Sequence, residues 1–211
     1  RAEAAYGMVR RRILDNVEYN MQRFLDVSNE AGRGLAIAND SKYAFNMEEG
    51  RVQITAVRSA IYAQGNSPDW WNEQETYEYT DIGTQTFWLV LKPHGDALPE
   101  RELHRIADKI NGAYEYLGDS AHVSSGRGRQ VESRFSLGRV EAENVSLVLV
   151  KKAEDDGDFV LRLLETEGKD TETKLIFREK TYPISMGHDE IATYKISRDG
   201  SKIQKTNLLE V

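Results

Sequence analysis

Gly34-Leu-Ala-Ile-Ala-Asn-Asp-Ser-Lys-Tyr-Ala-Phe45 runs on through Asn46-Met47-Glu48-Glu49-Gly50 into Arg51-Val-Gln-Ile-Thr-Ala-Val-Arg-Ser-Ala-Ile-Tyr62, and this stretch decides the fold class. Gly34 to Ala38 is a short apolar strand, and Asn39-Asp40-Ser41 is turn chemistry. Glu48-Glu49-Gly50 is a second turn, opening a segment in which Val52, Ile54 and Ala56 alternate with Gln53 and Thr55. That period of two belongs to a strand with one buried face. The punctuation predicts hairpins, and hairpins predict an antiparallel β architecture.

Working outward, Thr86-Phe-Trp-Leu-Val-Leu91 is apolar almost throughout, which predicts a central strand covered on both sides. Val145, Leu147 and Leu149 alternate with their neighbours, Asp155-Asp156-Gly157-Asp158 turns the chain, and Phe159 to Leu164 returns as a second hairpin. Thr173 to Phe177 and Ile203 to Leu209 supply further strands, with Gly168-Lys-Asp170 and Asp199-Gly200 as turns. One segment reads as helix: after Pro99, the residues Leu103, Ile106, Ile110, Ala113 and Leu117 fall on one face. The prediction is an all-β chain with a single helix near residues 99–117.

The particular residues go further than the pattern. Asn39-Asp40-Ser41-Lys42-Tyr43 and Val57-Arg58-Ser59-Ala60-Ile61-Tyr62 resemble the carboxy-terminal β-region of glycoside hydrolase family 38, the α-mannosidases. Upstream, Ala5-Tyr6-Gly7-Met8-Val9-Arg10-Arg11 and Gln22-Arg23-Phe24-Leu25-Asp26-Val27-Ser28 are similar to that family's "PYG…R" and "QRWVDLS" segments, in the same order. Tyr79 to Phe87 and Leu91-Lys92-Pro93-His94-Gly95-Asp96 resemble its "DQG…F" and "LxPHxG" segments. Glu143 to Glu154, Leu161 to Glu165 and Thr206 to Glu210 resemble its terminal β-sandwich. Ala44 stands where the family usually has Gly, and Ala60 stands where it has Pro.

The resemblance implies an antiparallel sandwich, part of a galactose-mutarotase-like supersandwich, over residues 1–141, and a small terminal β-sandwich over 142–211. It implies that the intact enzyme hydrolyses α-mannosides with retention, through an aspartate nucleophile and a zinc ion in an amino-terminal catalytic domain. That domain would be this chain's partner, and the zinc would be bound there rather than by these residues. The chain would supply scaffold and part of the cleft wall, and would be inactive alone. Beginning at Arg1, within the family pattern, it reads as a portion of a longer polypeptide or a processing product. The alternative from another class is a stand-alone carbohydrate-binding or structural β-module.

Composition bounds the partners. Lysine and arginine number 28 against 35 acidic residues, and the formal charge of −7 speaks against nucleic acid. No cysteine is present, which removes disulfides and thiolate metal sites and fits a reducing, cytoplasmic setting. No apolar run is long enough to span a bilayer, so no membrane partner is expected. A homo-oligomer is compatible with the sequence.

His94, His104, His122 and His188 lie far apart, without the local spacing of a metal site. His94, beside Gly95-Asp96, is either a turn or interface residue or a contact to sugar. Arg58 falls on the same strand face as Ile54 and Ala56 if the alternation continues, and a guanidinium there needs a partner. That partner is either Asp40 or another carboxylate, or, by the resemblance, a mannose hydroxyl. The loop from Tyr62 through Trp70 and Trp71 is long, polar and aromatic, and aromatic faces stack on pyranose rings; the same tryptophans could instead cover a sandwich edge. The substrate-proximal candidates are therefore Arg58, Tyr62, Trp70, Trp71 and His94. Asp155, Asp156 and Asp158 read as turn residues rather than calcium ligands, and Arg10-Arg11-Arg12 as a solvated or interface charge run.

Overall fold

A computed structural model of the chain describes residues 1–61, 76–112 and 134–210. It is nearly all antiparallel β-structure with one helix, in two compact units: Arg1–Ala97 with Ile106–Asn111, and Leu98–Arg105 with Gly112–Val211.

The first unit holds β1 (Ala2–Ala4), β2 (Gly7–Val9), β3 (Tyr19–Asn20), β4 (Phe24–Ser28), β5 (Gly34–Asn39), β6 (Ala44–Glu48), β7 (Arg51–Ile54) and β8 (Leu89–His94). They form a five-stranded sheet in the order β2-β1-β4-β5-β8 and a three-stranded sheet, β3-β6-β7. Ala2, Leu25 and Ile37 of the larger sheet and Phe45 of the smaller one make a common buried core, with Val52 and Ile54 packed against it. Apolar residues on alternate positions of both sheets thus face one another, the arrangement of a sandwich.

The opening stretch contains one hairpin, not two. β6 and β7 pair across Glu49 and Gly50, whose φ angles of 49° and 76° give the doubly left-handed turn that matches strand twist. The Asn39-Asp40-Ser41 turn does something else, because β5 and β6 lie in different sheets. It is a corner at which the chain crosses the sandwich. Asn39, 1% exposed, holds it: Oδ1 accepts from the Ser41 and Lys42 amides at 3.1 and 2.7 Å, and Nδ2 donates to the Gln22 carbonyl at 2.8 Å. Its own carbonyl accepts from Asn111 Nδ2 at 2.9 Å. A short polar side chain that bonds its own backbone serves a corner as well as a hairpin.

Two further expectations need correction. The apolar run Thr86–Leu91 is not a central strand: Thr86, Phe87 and Trp88 precede β8, and β8 is the edge of its sheet. Trp88 is 68% and Leu91 58% exposed. An apolar run shows that a segment avoids water, not that a neighbour within the same chain covers it. Pro93 fits the edge position, since it has no amide to donate. The strand that should have carried Arg58 ends at Ile54, so the alternation is broken before Ala56.

The helix, α1 (Glu100–Asn111), follows Pro99 as predicted; the expected continuation over 113–117 lies outside the described residues. Glu100 and Glu102 in its first turn and Lys109 in its last suit the helix dipole.

In the second unit, β9 (Gly138–Val140), β10 (Val145–Lys152), β11 (Phe159–Glu165), β12 (Thr171–Phe177), β13 (Lys180–Met186), β14 (Ile191–Ile196) and β15 (Ile203–Thr206) form two sheets, β10-β11-β14-β15 and β13-β12-β9. Leu161, Leu163, Tyr194 and Ile196 from one sheet and Leu175, Phe177, Tyr182, Ile184 and Met186 from the other build a single core. The expected β10–β11 hairpin is present, with a bulge between Leu147 and Leu149. Asp156 Oδ1 in its turn accepts from the Asp158 amide at 2.9 Å. The β12–β13 hairpin turns on Arg178 and Glu179, non-glycine residues at φ of 49° and 67°.

At one end of this sandwich Glu165, 1% exposed, gathers four donors: Asn144 Nδ2 and the Glu167 amide at 2.8 Å on Oε1, and the Lys169 and Asp189 amides at 3.0 and 2.9 Å on Oε2. One carboxylate thereby ties together the loop before β10, the loop after β11 and the loop before β14.

Candidate functional site

The sequence candidates fall on three places. His94 ends β8, beside Gly34 of β5. Gly34 admits no side chain: a Cβ there would stand 2.2 Å from the Val27 carbonyl oxygen, so glycine lets β4 and β5 approach. With the strands drawn together, His94 Nε2 reaches Asp26 Oδ1 at 2.8 Å, and Nδ1 lies 2.7 Å from the Asp96 carbonyl. Both ring nitrogens thus stand within hydrogen-bond distance of an oxygen. The His94 side chain is 4% exposed and that of Asp26 fully buried.

Asp26 is the residue that sequence reasoning missed. Its second oxygen accepts from Arg1 Nε at 2.9 Å, which makes a buried cation–carboxylate–imidazole chain. Glu3 and Arg23 form a second cluster: Arg23 Nε donates to Glu3 Oε1 at 3.0 Å, while Nη1 reaches Asp108 of α1 at 2.6 Å. Nothing local announces either set, because Asp26 and His94 are 68 residues apart.

Arg58 lies on the exposed segment after β7. Its carbonyl is fixed by the Ala60 amide at 3.0 Å and by Thr80 Oγ1 at 3.2 Å. The Asp40 pairing weighed from sequence is not formed. Asp40 instead accepts from the Trp88 amide at 3.1 Å and from Ser41 Oγ at 2.9 Å, and the Trp88 donor leads in holding its carboxyl below the usual range. Among the described residues no carboxylate forms an ion pair with the Arg58 guanidinium. Tyr62, Trp70 and Trp71 lie outside the described residues.

The largest cavity among those described in the first unit encloses about 640 Å³. Leu25, Val27, Phe45 and Met47 form its apolar surface, and Arg1, Arg10, Arg11 and Arg12 stand around it with Asp26. Arg11 lies over the Tyr19 ring, 5.3 Å from its centroid. All three arginines of the run are exposed, Arg11 while resting on that ring. Neither Arg58 nor His94 lines this space.

No group of three or more His, Cys, Asp or Glu among the described residues could hold a metal ion. In the Asp155–Asp158 turn, Asp156 accepts from the Asp158 amide and pairs with Lys195 at 2.6 Å, and Asp158 Oδ1 accepts from the Arg198 amide at 2.9 Å.

Residues 144–211, which contain the β10–β15 strands and the Glu165 hub, match the glycosyl hydrolases family 38 C-terminal beta sandwich domain. The terminal sandwich is similar to that family's domain. Alpha-mannosidase G of Dictyostelium discoideum is 25% identical over 172 residues, which are 79% of this chain and 14% of that protein. The similarity to this alpha-mannosidase thus extends beyond the terminal sandwich, and the chain spans about a seventh of that relative's length, from the 14% covered.

Proposed function

We propose that this chain is the carboxy-terminal β-region of a retaining, zinc-dependent α-mannosidase, acting as scaffold and as part of the wall of the substrate cleft. The observation that carries this reading is the family 38 match over residues 144–211, with an α-mannosidase as the relative over most of the chain. The division into residues 1–141 and 142–211 belongs to the same reading and is supported by the match beginning at residue 144. The described residues do not fit the zinc ion, which the reading assigns to an amino-terminal catalytic domain.

Retaining hydrolysis needs two carboxyl groups about 5–5.5 Å apart, one as nucleophile and one as acid and base. The reading places both in the same absent partner. What these residues contribute is binding: an exposed Arg58 guanidinium available to donate to sugar hydroxyls, with Tyr62, Trp70 and Trp71, which follow it in sequence and lie outside the described residues, as the aromatic candidates. His94, with both ring nitrogens engaged, acts from behind, keeping the end of β8 in place. A cytoplasmic location is part of the proposal; no described helix is long and apolar enough to cross a membrane.

The test compares the product of the complete reading frame with the 211-residue chain on an activated aryl α-mannoside. The complete protein should release α-mannose first, lose activity with zinc removal and regain it with zinc. The 211-residue chain should give no turnover with or without zinc. Turnover that tracks the concentration of the short chain refutes the division of labour, and an inactive complete protein refutes the α-mannosidase reading.

A further inference from the structure

β7 and β8 are edge strands of the two sheets of the first unit, and among the described residues no segment fills the space between them. It forms a second cavity of about 580 Å³. Every residue lining it is apolar or glycine: Leu35, Ile37, Leu89 and Leu91 on the side of the larger sheet, Val52 and Ile54 on the other, with Val27, Gly34 and Gly50 at its ends. Leu91 faces the groove opposite Ile37 in the ladder, yet it is 58% exposed, and Trp88 next to the strand is 68% exposed. Among the described residues no strand pairs with the outer edge of β8. A chain at ease with an exposed edge would blunt it with charge over its length. Here Lys92 and Pro93 blunt only the far half of the strand, and Leu89-Val90-Leu91 before them is wholly apolar.

We propose that this groove receives an extended segment of the same polypeptide from outside these 211 residues, adding as a strand to β8 with alternate apolar side chains between the sheets. The inference rests on the reading that the chain is one region of a longer enzyme. That reading supplies the occupant: the aligned residues make only 14% of the relative, so most of such a polypeptide remains to cover this face. An apolar slot walled by two sheet faces, with Leu89 to Leu91 at an edge that no described strand pairs, selects an extended segment, because backbone pairing and alternate side-chain burial are satisfied together. A helix would leave the β8 edge unpaired, and a sugar would find no polar partner along the lining.

Hydrogen exchange on the complete protein and on the 211-residue chain tests this. The amides of Leu89 to Leu91 that point away from β5 should exchange at least about tenfold more slowly in the complete protein, as protected ladder amides do. Leu91→Lys should leave the melting temperature of the short chain unchanged and lower that of the complete protein by several degrees. Equal exchange, or equal melting shifts, in the two proteins overturns the inference. So does protection already present in the short chain, which would mean that its own residues fill the groove. Protection that rises with concentration alongside a dimer in sedimentation makes the occupant a second copy and overturns it also. A complete protein active on α-mannosides with β8 unprotected refutes this inference alone; a reading frame without a further domain refutes both.

Discussion

Asp26 Oδ1 and His94 Nε2 stand 2.8 Å apart, and Arg1 Nε takes the other oxygen of the same carboxylate at 2.9 Å. A buried carboxylate flanked by two donors is satisfied only while both remain. His94→Ala should therefore destabilise the chain by about 1.5–3 kcal/mol, the worth of a hydrogen bond to a charged group. Denaturant unfolding measures this. A midpoint unchanged by the substitution would show that Arg1 alone suffices for Asp26 and that His94 is free for another task.

Arg58 should behave in the opposite way. On the proposed α-mannosidase reading, Arg58→Met in the complete protein should lower kcat/KM for an α-mannoside by about ten- to a few hundred-fold, roughly 1.4–3 kcal/mol for one charged hydrogen bond to sugar. The stability of the 211-residue chain should barely change, since the side chain is exposed and pairs with no described carboxylate. Unaltered kinetics combined with a sharp fall in the unfolding midpoint would make Arg58 structural.

Glu165 links stability to pH. Burial alone would raise its pKa, but the donors from Asp189, Glu167, Asn144 and Lys169 outweigh burial and hold the carboxyl below its ordinary value. A depressed folded pKa gives stability that is complete above the ordinary carboxylate range and is lost as pH falls through the folded value. Glu165→Gln, which turns an acceptor into a donor among donors, should cost roughly 1–3 kcal/mol for each group it orphans at neutral pH. The difference from the parent should shrink below about pH 4, where an ordinary glutamate protonates. Unfolding curves between neutral and acid pH check both points; a pH-independent difference would mean that the hub holds by packing.

The turn between β12 and β13 can be improved. Arg178 lies over the Phe159 ring and donates Nη1 to the Arg198 carbonyl at 3.1 Å, so it repays its left-handed backbone. Glu179 is exposed, its φ is 67°, and its side chain has no such compensation among the described contacts. Glu179→Gly should raise stability by about 0.5–1 kcal/mol: relief of the left-handed strain exceeds the entropy that glycine adds to the unfolded chain. A lower melting temperature would show that the Glu179 side chain holds something the turn geometry does not reveal.

That turn also shows where the sequence is hard to read. The β10–β11 hairpin was legible because Val145, Leu147 and Leu149 alternate before a run of Asp and Gly, all within one local window. Phe177-Arg178-Glu179-Lys180 carries no such punctuation, because the strands on either side impose the turn instead. Thr86–Leu91 misled for a related reason: hydrophobicity reports a need for cover, and β8 sits at a sheet edge. Asn39 was correctly read as turn chemistry, but whether the chain then pairs back or crosses to the other sheet depends on strands distant in sequence. The site was less legible still. Asp26 and Glu165 draw their partners from across the fold, and no spacing rule encodes them.

The corner at Asn39 constrains the order in which the protein can be made. Its carbonyl waits for Asn111, 72 residues further along the chain. At synthesis rates of roughly 5–20 residues per second, that partner leaves the ribosome on the order of 4–14 s after the corner itself. Throughout that interval the nascent first unit holds its sheet crossing by the bonds of Asn39 to Gln22, Ser41 and Lys42, all made by residues synthesised before or just after it, and the tie to α1 is the last to close.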